Sequence, residues 1–320
     1  MIPGVLIPGV LIPGVLIPGS PAGAAIGLLA DLCFGEPPLS PHPVAGFGSV
    51  MNTIEARLWH DDRRHGVAHA VAGVAIGWGI GALGGTRLLP TAVSSYLAIA
   101  GRGLGDAART VGDALARDDL AGARAALPAL VGRDPSELGP GEIARAVVES
   151  VAENTVDAIV APALWGVAAG ASGALAYRAV NTMDAMVGHH NDRYERYGWA
   201  SARLDDLANF LPARVTALLV IACRPRRARA VARAVRHDAP AHPSPNAGVA
   251  EAAFAAALGV QLGGTNHYGT RTESRAALGD GEPPGPPDIR RAVALSRDVS
   301  LTLAGLLLVG AAGTVTRRHR

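Results

Sequence analysis

Apolar runs punctuated by polar clusters dominate the chain. Gly66–Gly85 and Ala158–Tyr177 each run 20 residues without a formal charge, and about 20 such residues cross the hydrocarbon of a bilayer as a helix. Val299–Thr316 is a third uncharged run, and Pro21–Phe34 is the first regular apolar segment. Leu88–Ala100 is shorter, and Leu207–Cys223 is weaker because it carries Pro212 and Arg214. The pattern predicts four clear spans and two or three weaker ones. The predicted fold class is all-α, a polytopic helical membrane bundle with Gly/Pro-rich loops and no sheet. Between Arg102 and Val148 the pattern turns soluble and helical, broken by Gly132–Glu142. The polar clusters at the two ends of Ala158–Tyr177 would face opposite sides if that segment crossed straight through. Either it dips and returns, bending within Gly166–Ala174, or another segment is not a true span.

Glycines refine this reading. Gly73, Gly77, Gly81 and Gly85 recur every four residues, a small-residue ridge suited to close helix packing in lipid. Gly79, Gly81 and Gly84 also fit a dinucleotide fingerprint, but no strand precedes them, so the match is chance. The N-terminus repeats IPGVL at 2–6, 7–11 and 12–16, then IPG at 17–19. Its prolines remove donors and clash one turn back, which blocks a regular helix. Residues 1–19 are therefore expected to be a low-complexity, disordered or dispensable segment, and 20–320 one integral-membrane domain. Val249–Gly264 reads as an Ala-rich helix carrying Glu251.

Composition narrows the chemistry. The chain is 49% hydrophobic with a formal charge of +2, so no nucleic-acid partner is implied. It has no lysine, which excludes a P-loop and a pyridoxal-phosphate Schiff base. Cys33 and Cys223 lie at the edges of apolar runs and are expected to be buried thiols. Arg224–His237 is strongly basic and is read as a solvated or headgroup-facing cytoplasmic helix.

Candidate functional residues gather between Arg145 and Arg214. On a helix, Glu149, Glu153 and Asp157 share one face, drifting roughly 40° per step, and an acid beside an apolar run needs pairing, water or a cation. Asn181 and Asp184 face together at i, i+3. Asp205 and Asp206 point about 100° apart. His42 stands between Pro41 and Pro43 with a restricted backbone, and Ser244 and Asn246 flank Pro245 in a loop. His189 and His190 read as surface histidines, Trp165 and Trp199 as interfacial or packing aromatics.

Taken together, DLCFGEPPLSPHPV, VGRDPSEL, VESVAENTVDAIVAP, YRAVNTMDAMVGHHNDRYERYGWASARLDDLANFLPAR and HPSPNAGVAEAAFAAALGVQLGG resemble the cobinamide-phosphate synthase (CobD/CbiB) family of cobalamin biosynthesis. The resemblance implies a multi-pass protein of the bacterial cytoplasmic membrane. It implies amide-bond formation between (R)-1-amino-2-propanol, or its O-phosphate, and the free propionate of adenosylcobyric acid, with ATP and Mg²⁺ consumed or required. Partners would be those substrates, membrane lipid and other corrinoid-pathway enzymes. Such chemistry needs acids, for which Glu149, Glu153, Asp157, Asp184, Asp205 and Asp206 are the catalytic candidates, with Glu153, Asp157 and Asp184 as candidate Mg²⁺ ligands. Arg178, Arg193, Arg203 and Arg214 are candidates for phosphate. Asn154, Asn181 and Asn209 suit amide groups, and His42, Ser244 and Asn246 complete the substrate-binding candidates. The sites are expected to converge at one membrane face. A Mg²⁺-dependent membrane prenyltransferase is the alternative, since Asn181-x-x-Asp184 and Asp205-Asp206-x-x-Asn209 loosely resemble pyrophosphate-binding motifs. A transporter is disfavoured because the chain shows no inverted repeat.

The repeat has few groups able to pack specifically. A chain starting near Ser20 with a new Met is expected to restore cobinamide production in a deletion strain. Loss of production with normal membrane insertion would show that the repeat has a function.

Overall fold

The computed structural model describes residues 5–7, 10–12, 19–40, 42–132, 134–268 and 271–318. In chain order the elements are β1 (Val5–Ile7), β2 (Val10–Ile12), α1 (Pro21–Phe34), α2 (Pro43–Leu58), α3 (Arg63–Gly84), α4 (Leu88–Ala98), α5 (Gly101–Ala116), α6 (Leu120–Ala126), α7 (Pro140–Thr155), α8 (Ala161–Val187), α9 (Trp199–Cys223), α10 (Ala228–His237), α11 (Ala247–Leu258), β3 (Leu262–Tyr268), β4 (Arg271–Leu278) and α12 (Pro286–Arg318). The class is all-α, as the apolar pattern predicts. Among the described residues, four stretches are long and apolar enough to cross a membrane: Arg63–Gly84, Pro140–Val187, Trp199–Cys223 and Pro286–Gly313. At 14 residues, α1 reaches roughly 21 Å, short of a full crossing. Within the repeat, β1 pairs antiparallel with β2; the rest of 1–18 lies outside the described residues.

The chain divides into two compact units. The first comprises Met1–Ala100, Ile159–Asn209 and Leu303–Arg320. In it, α3 and α8 pack along the predicted glycine ridge. A methyl group at Gly77 would meet Leu175 O at 2.8 Å, and one at Gly81 would meet Ser172 N and Cα at 2.4 Å. Gly85 leaves the ridge: it caps α3 in the left-handed region, with φ +71°, where a side chain is strained. α1 packs on α4 in the same manner, Gly27 lying 2.6 Å (by its absent methyl) from Ala92 O.

Of the two alternatives for this segment, the bend within Gly166–Ala174 is the one present. Helical geometry fails at Ala169 (φ −137°, ψ 18°) and Gly170 (φ 64°, ψ −144°), and the two arms of α8 fold back on each other. A methyl at Gly173 would sit 2.1 Å from Trp165 O, and one at Gly166 lies 3.8 Å from Ala174 Cβ. Residues eight apart on a straight helix are separated by about 12 Å. Non-helical backbone at membrane depth has to be covered by protein. Here Gly170 is buried against Gly85 and Thr86, and the Ala171 N–H reaches Gly85 O at 3.4 Å. In α9, Pro212 lacks the N–H that would reach Ala208 O; the Trp165 indole N–H donates to that carbonyl instead, at 3.1 Å.

The second unit comprises Gly101–Ala158 and Phe210–Thr302. The soluble-looking segment forms α5, α6 and α7; α5 buries Gly105, Ala108, Val111, Gly112 and Leu115 along one stripe. α11 is buried at every position. It ends at Leu258 with Gly259 as a left-handed cap, not at Gly264, and β3 and β4 form an antiparallel hairpin that the apolar pattern does not predict. The reason is backbone: Gly263 and Gly264 hold φ of +84° and +93°, which a helix does not accept. α12 is tied to its neighbours by Thr155 donating to Ser296 Oγ at 2.8 Å and by an Arg224–Asp298 pair at 2.9 Å. α10 buries only Val231 and Ala234, leaving its arginines on the outer face. Cys33 is exposed and Cys223 half-buried, which corrects the expectation of buried thiols: both sit in the last turn of a helix.

The ridge makes a stability prediction. Gly81→Val pushes α3 away from the Ser172 backbone and should cost about 1–3 kcal/mol. At Gly79 a methyl would meet nothing within 4 Å, so Gly79→Ala should be neutral or slightly stabilising. Unfolding of the detergent-solubilised protein measures both; equal effects would refute close packing at Gly81.

Candidate functional site

The first unit contains a cavity of about 580 Å³, within the roughly 300–1,000 Å³ of small-molecule sites. Its walls come from α2, the end of α4, the second arm of α8, and Tyr194. His42 is the N-cap of α2: its Nδ1 accepts from the Val44 N–H at 3.4 Å. That fixes the tautomer, so Nε2 carries the hydrogen. Nε2 is buried with no hydrogen-bond partner, and the imidazole lines the cavity. Arg178 and Thr182 face in from α8, Ser49, Asn52 and Glu55 from α2, and Glu36 from the preceding loop. The wall therefore offers one guanidinium, one imidazole N–H and two carboxylates. A smaller apolar pocket of about 130 Å³ adjoins it, sharing Val44, Leu97, Arg178 and Thr182.

Glu55 was not among the sequence-level candidates. Arg193 Nη2 donates to Glu55 Oε1 at 2.9 Å, and the Tyr194 hydroxyl donates to the same oxygen at 3.0 Å. Glu55 is 7% exposed. The Arg193 guanidinium also lies 4.8 Å from the Trp59 ring centroid. The hydrogen bond with Glu55, then that with Tyr194, pushes the Arg193 pKa up. Behind them Tyr197 is fully buried with no hydrogen-bond partner for its hydroxyl. Burial, and then the Glu55 charge, pushes its pKa up. Arg193 thus serves as the counter-ion of a buried wall carboxylate.

A connected network brings Arg178, Asn181, Asp205 and Asn209 together. Arg178 Nη1 donates to Asn181 Oδ1 at 3.2 Å, and Asn181 Nδ2 to Asp205 Oδ1 at 3.3 Å. Asn209 Nδ2 donates to Asp205 Oδ2 at 2.9 Å, and the Tyr177 hydroxyl to Asn209 Oδ1 at 2.8 Å. Asp206 diverges from Asp205 and pairs at the surface with Arg203, at 3.2 Å. Asp184 is half-buried one turn beyond Asn181, and its Oδ1 would lie 1.9 Å from a methyl at Gly188, so that glycine makes room for the carboxylate. His189 and His190 are exposed, matching their reading as surface residues.

The remaining candidates lie in the second unit. Glu149 is 4% exposed, and its Oε1 accepts the Gly263 N–H at 3.0 Å while Arg145 Nη1 donates to Gly263 O at 2.6 Å. Arg145 and Glu149 themselves approach to 3.9 Å. The pair grips both polar groups of one residue at the root of the β3–β4 hairpin, so Glu149 has a positioning task. Glu153 is exposed, and Asp157 is half-buried on a π-helical turn, Val156–Val160. Asn154 turns back to Ser150 O at 2.9 Å. Arg214 donates to Asn246 Oδ1 at 2.8 Å and stacks 3.7 Å from the Phe210 ring centroid. Ser244 Oγ accepts the N–H groups of Asn246 and Ala247 at 3.3 and 3.1 Å, capping α11. The adjacent His242 takes the Ser244 N–H on Nδ1 at 3.0 Å, with Glu251 at 3.6 Å from Nε2.

Among the described residues no three of His, Cys, Asp and Glu gather as a metal-holding group. Glu153 and Asp157 belong to one unit and Asp184 to the other. Carboxylates such as these suit a magnesium ion that takes its other ligands from phosphate and water.

Residues 24–296 match the family described as CobD/Cbib protein. A "Cobalamin biosynthesis protein CobD" from Mycobacterium tuberculosis (strain CDC 1551 / Oshkosh) is 46% identical over 299 residues, 90% of this chain and 94% of the relative. Proteins of the same description from Geobacter metallireducens and Klebsiella pneumoniae subsp. pneumoniae are 43% and 41% identical, covering 81% and 80% of this chain and 87% and 86% of the relatives. No solved structure matches. Nothing among these relatives supports the prenyltransferase alternative.

The Glu55–Arg193 pair is asymmetric: side-chain exposure is 9% for Glu55 and 55% for Arg193. Arg193→Met leaves a buried carboxylate without its cation and should lower the unfolding temperature. Glu55→Gln leaves a guanidinium that reaches water, and should cost less. Tyr197→Phe removes a buried hydroxyl that has no partner and should be neutral or stabilising. Thermal unfolding in detergent ranks the three variants; a larger loss in Glu55→Gln than in Arg193→Met would overturn this account of the pair.

Proposed function

Because the chain belongs to the CobD/CbiB family of cobalamin biosynthesis, we propose that it is an adenosylcobinamide-phosphate synthase, an amide-forming ligase of the bacterial cytoplasmic membrane. The substrates are adenosylcobyric acid and (R)-1-amino-2-propanol O-phosphate, or the free amino alcohol. The observation that carries the amine half is the cavity wall, where Arg178 and the His42 Nε2–H face the same space as Glu55. A phosphorylated amino alcohol is a small zwitterion. Its phosphate suits a guanidinium and an imidazole N–H, and its ammonium suits a carboxylate. A corrinoid is larger than the ligands such cavities enclose, so its propionate arm enters and the ring stays outside.

The reaction joins the propionate carbon to the amine nitrogen. The propionate oxygen has to become a leaving group, a role that ATP fills by phosphorylation in this reaction class, and the nitrogen loses a proton as the C–N bond forms. Asp184 is the acid proposed to take up that proton, with Glu153 and Asp157 as the further acidic candidates, while Glu55, held by Arg193 and Tyr194, is proposed to hold the ammonium. A magnesium ion would be held chiefly by nucleotide phosphates and water, with one or two of these carboxylates completing its shell. Glu149, Asp205 and Asp206 are proposed for positioning, because their oxygens are engaged by backbone, amide and guanidinium partners.

The test is product formation from cobyric acid and aminopropanol phosphate in isolated membranes, normalised to protein present. Glu153→Gln and Asp184→Asn each remove a charge while keeping shape. A lost charge-assisted contact is worth about 1.5–3 kcal/mol, so each variant should fall at least about tenfold. Glu137→Gln is the control and should lose little. Wild-type membranes that form no amide with either amine would defeat the reaction; both amide variants at full activity would defeat the site assignment.

A further inference from the structure

Arg178 is the cavity's guanidinium, and a long flexible side chain does not hold one position unaided. What holds it is a chain of side chains running through the first unit. Tyr177, Arg178 and Asn181 stand on α8, and Asp205 and Asn209 stand one turn apart on α9. We propose that Tyr177, Asn209, Asp205 and Asn181 form a positioning relay that presents Arg178 to an anionic group in the cavity. This rests on the proposed reading of the cavity as the site of the phosphorylated amine.

Donor and acceptor chemistry fixes the direction of the relay. A guanidinium has only donors, so Asn181 turns its oxygen to Arg178 and its NH₂ to Asp205. Asp205 accepts on both oxygens, from Asn181 at 3.3 Å and from Asn209 at 2.9 Å. Asn209, with its NH₂ committed, takes the Tyr177 hydroxyl on its oxygen at 2.8 Å. The short contacts lie at the anchored end, where Tyr177 is 2% and Asn209 1% exposed. The long contacts, 3.2 and 3.3 Å, lie at the cavity end, where a ligand can tighten them. Asp205 therefore acts through Arg178 and does not itself touch the ligand. A polar pair that merely joins two membrane helices needs neither a fixed direction nor an end in a cavity wall.

Two measurements separate these roles. The first needs no turnover: labelling of Arg178 by phenylglyoxal, resolved by mass spectrometry, with inorganic phosphate as the competing probe. Phosphate should protect Arg178 in the wild type, and Asp205→Ala should raise the protecting concentration at least about tenfold. Equal protection in the two proteins overturns the relay, whatever reaction the enzyme performs. The second is a double-mutant cycle on kcat and KM for aminopropanol phosphate and for free aminopropanol. Asn181→Ala, Asp205→Ala and Arg178→Gln should each raise KM for the phosphorylated amine by about tenfold, leaving KM for the free amine within about twofold. Asp205→Ala added to Arg178→Gln should do no further harm, because residues in one network are not additive. Asp205→Asn is the variant for a chain that fails to fold with alanine. A flip of Asn209 and reversal of the Tyr177 hydroxyl can preserve its contacts, so its KM should lie between wild type and Asp205→Ala. Additive losses, or a fall in kcat with KM unchanged, would overturn the proposal. Wild-type membranes inactive with both amines, but with intact phosphate protection at Arg178, would defeat the reaction and leave the relay standing.

Discussion

The fold-back at Ala169–Gly170 is the constraint on which the first unit depends. In apolar surroundings a backbone that leaves the helix exposes groups that only protein can satisfy. The chain meets this with glycine. Gly170 takes a φ of +64° against the end of α3, and Gly166 and Gly173 let the two arms of α8 meet almost backbone to backbone. Trp165, beside the bend, then donates to the carbonyl on α9 that Pro212 leaves without its helical partner. The second arm is directed by the same turn. Along it stand Tyr177, Arg178, Asn181, Thr182 and Asp184, so a steric requirement deep in an apolar segment decides where the polar chemistry lies.

Much of this was legible in the sequence, because periodicity and glycine spacing act through local geometry. The bounds of α1 and the Gly73–Gly77–Gly81 ridge follow from residues a few places apart, whereas the bend in Gly166–Ala174 was one of two alternatives that the sequence left open. The misses share a different cause. Gly85 fits the four-residue period but stands where the helix ends, and a period does not reveal a φ of +71°. In the β3–β4 hairpin Gly263 and Gly264 come directly after the first residue, Leu262, and follow an Ala-rich helix, so its start looked like a helix tail. Glu55 gave no signal in the sequence, because its partners are 138 and 139 residues away.

The six acids picked from sequence show how far residue type alone can go. Glu149, Glu153 and Asp157 were picked because an acid beside an apolar run needs a partner, and Asp184, Asp205 and Asp206 because amide formation calls for acids. Which partner each one has is a tertiary matter. Glu149 binds a backbone N–H 114 residues distant, Asp205 binds two side-chain amides, and Asp206 binds its neighbour on the same helix. Each of these satisfies a charge without leaving it to a ligand. The divergence of Asp205 and Asp206 was readable, since adjacent helical residues point about 100° apart; the inward course of Asp205 was not.

The absence of lysine sharpens what an anionic ligand demands of this chain. Lysine offers a point charge that tolerates loose placement, whereas arginine gains its advantage from a planar fork held in register with the anion. Fixing a long side chain costs up to about 2 kcal/mol of rotamer freedom. If that cost falls at the moment of binding, it is subtracted from affinity. A network anchored on buried Tyr177 and Asn209 moves the cost into folding, where helix packing offsets it. On the proposed reading of the cavity, one guanidinium then suffices, because it is already in place when the ligand arrives.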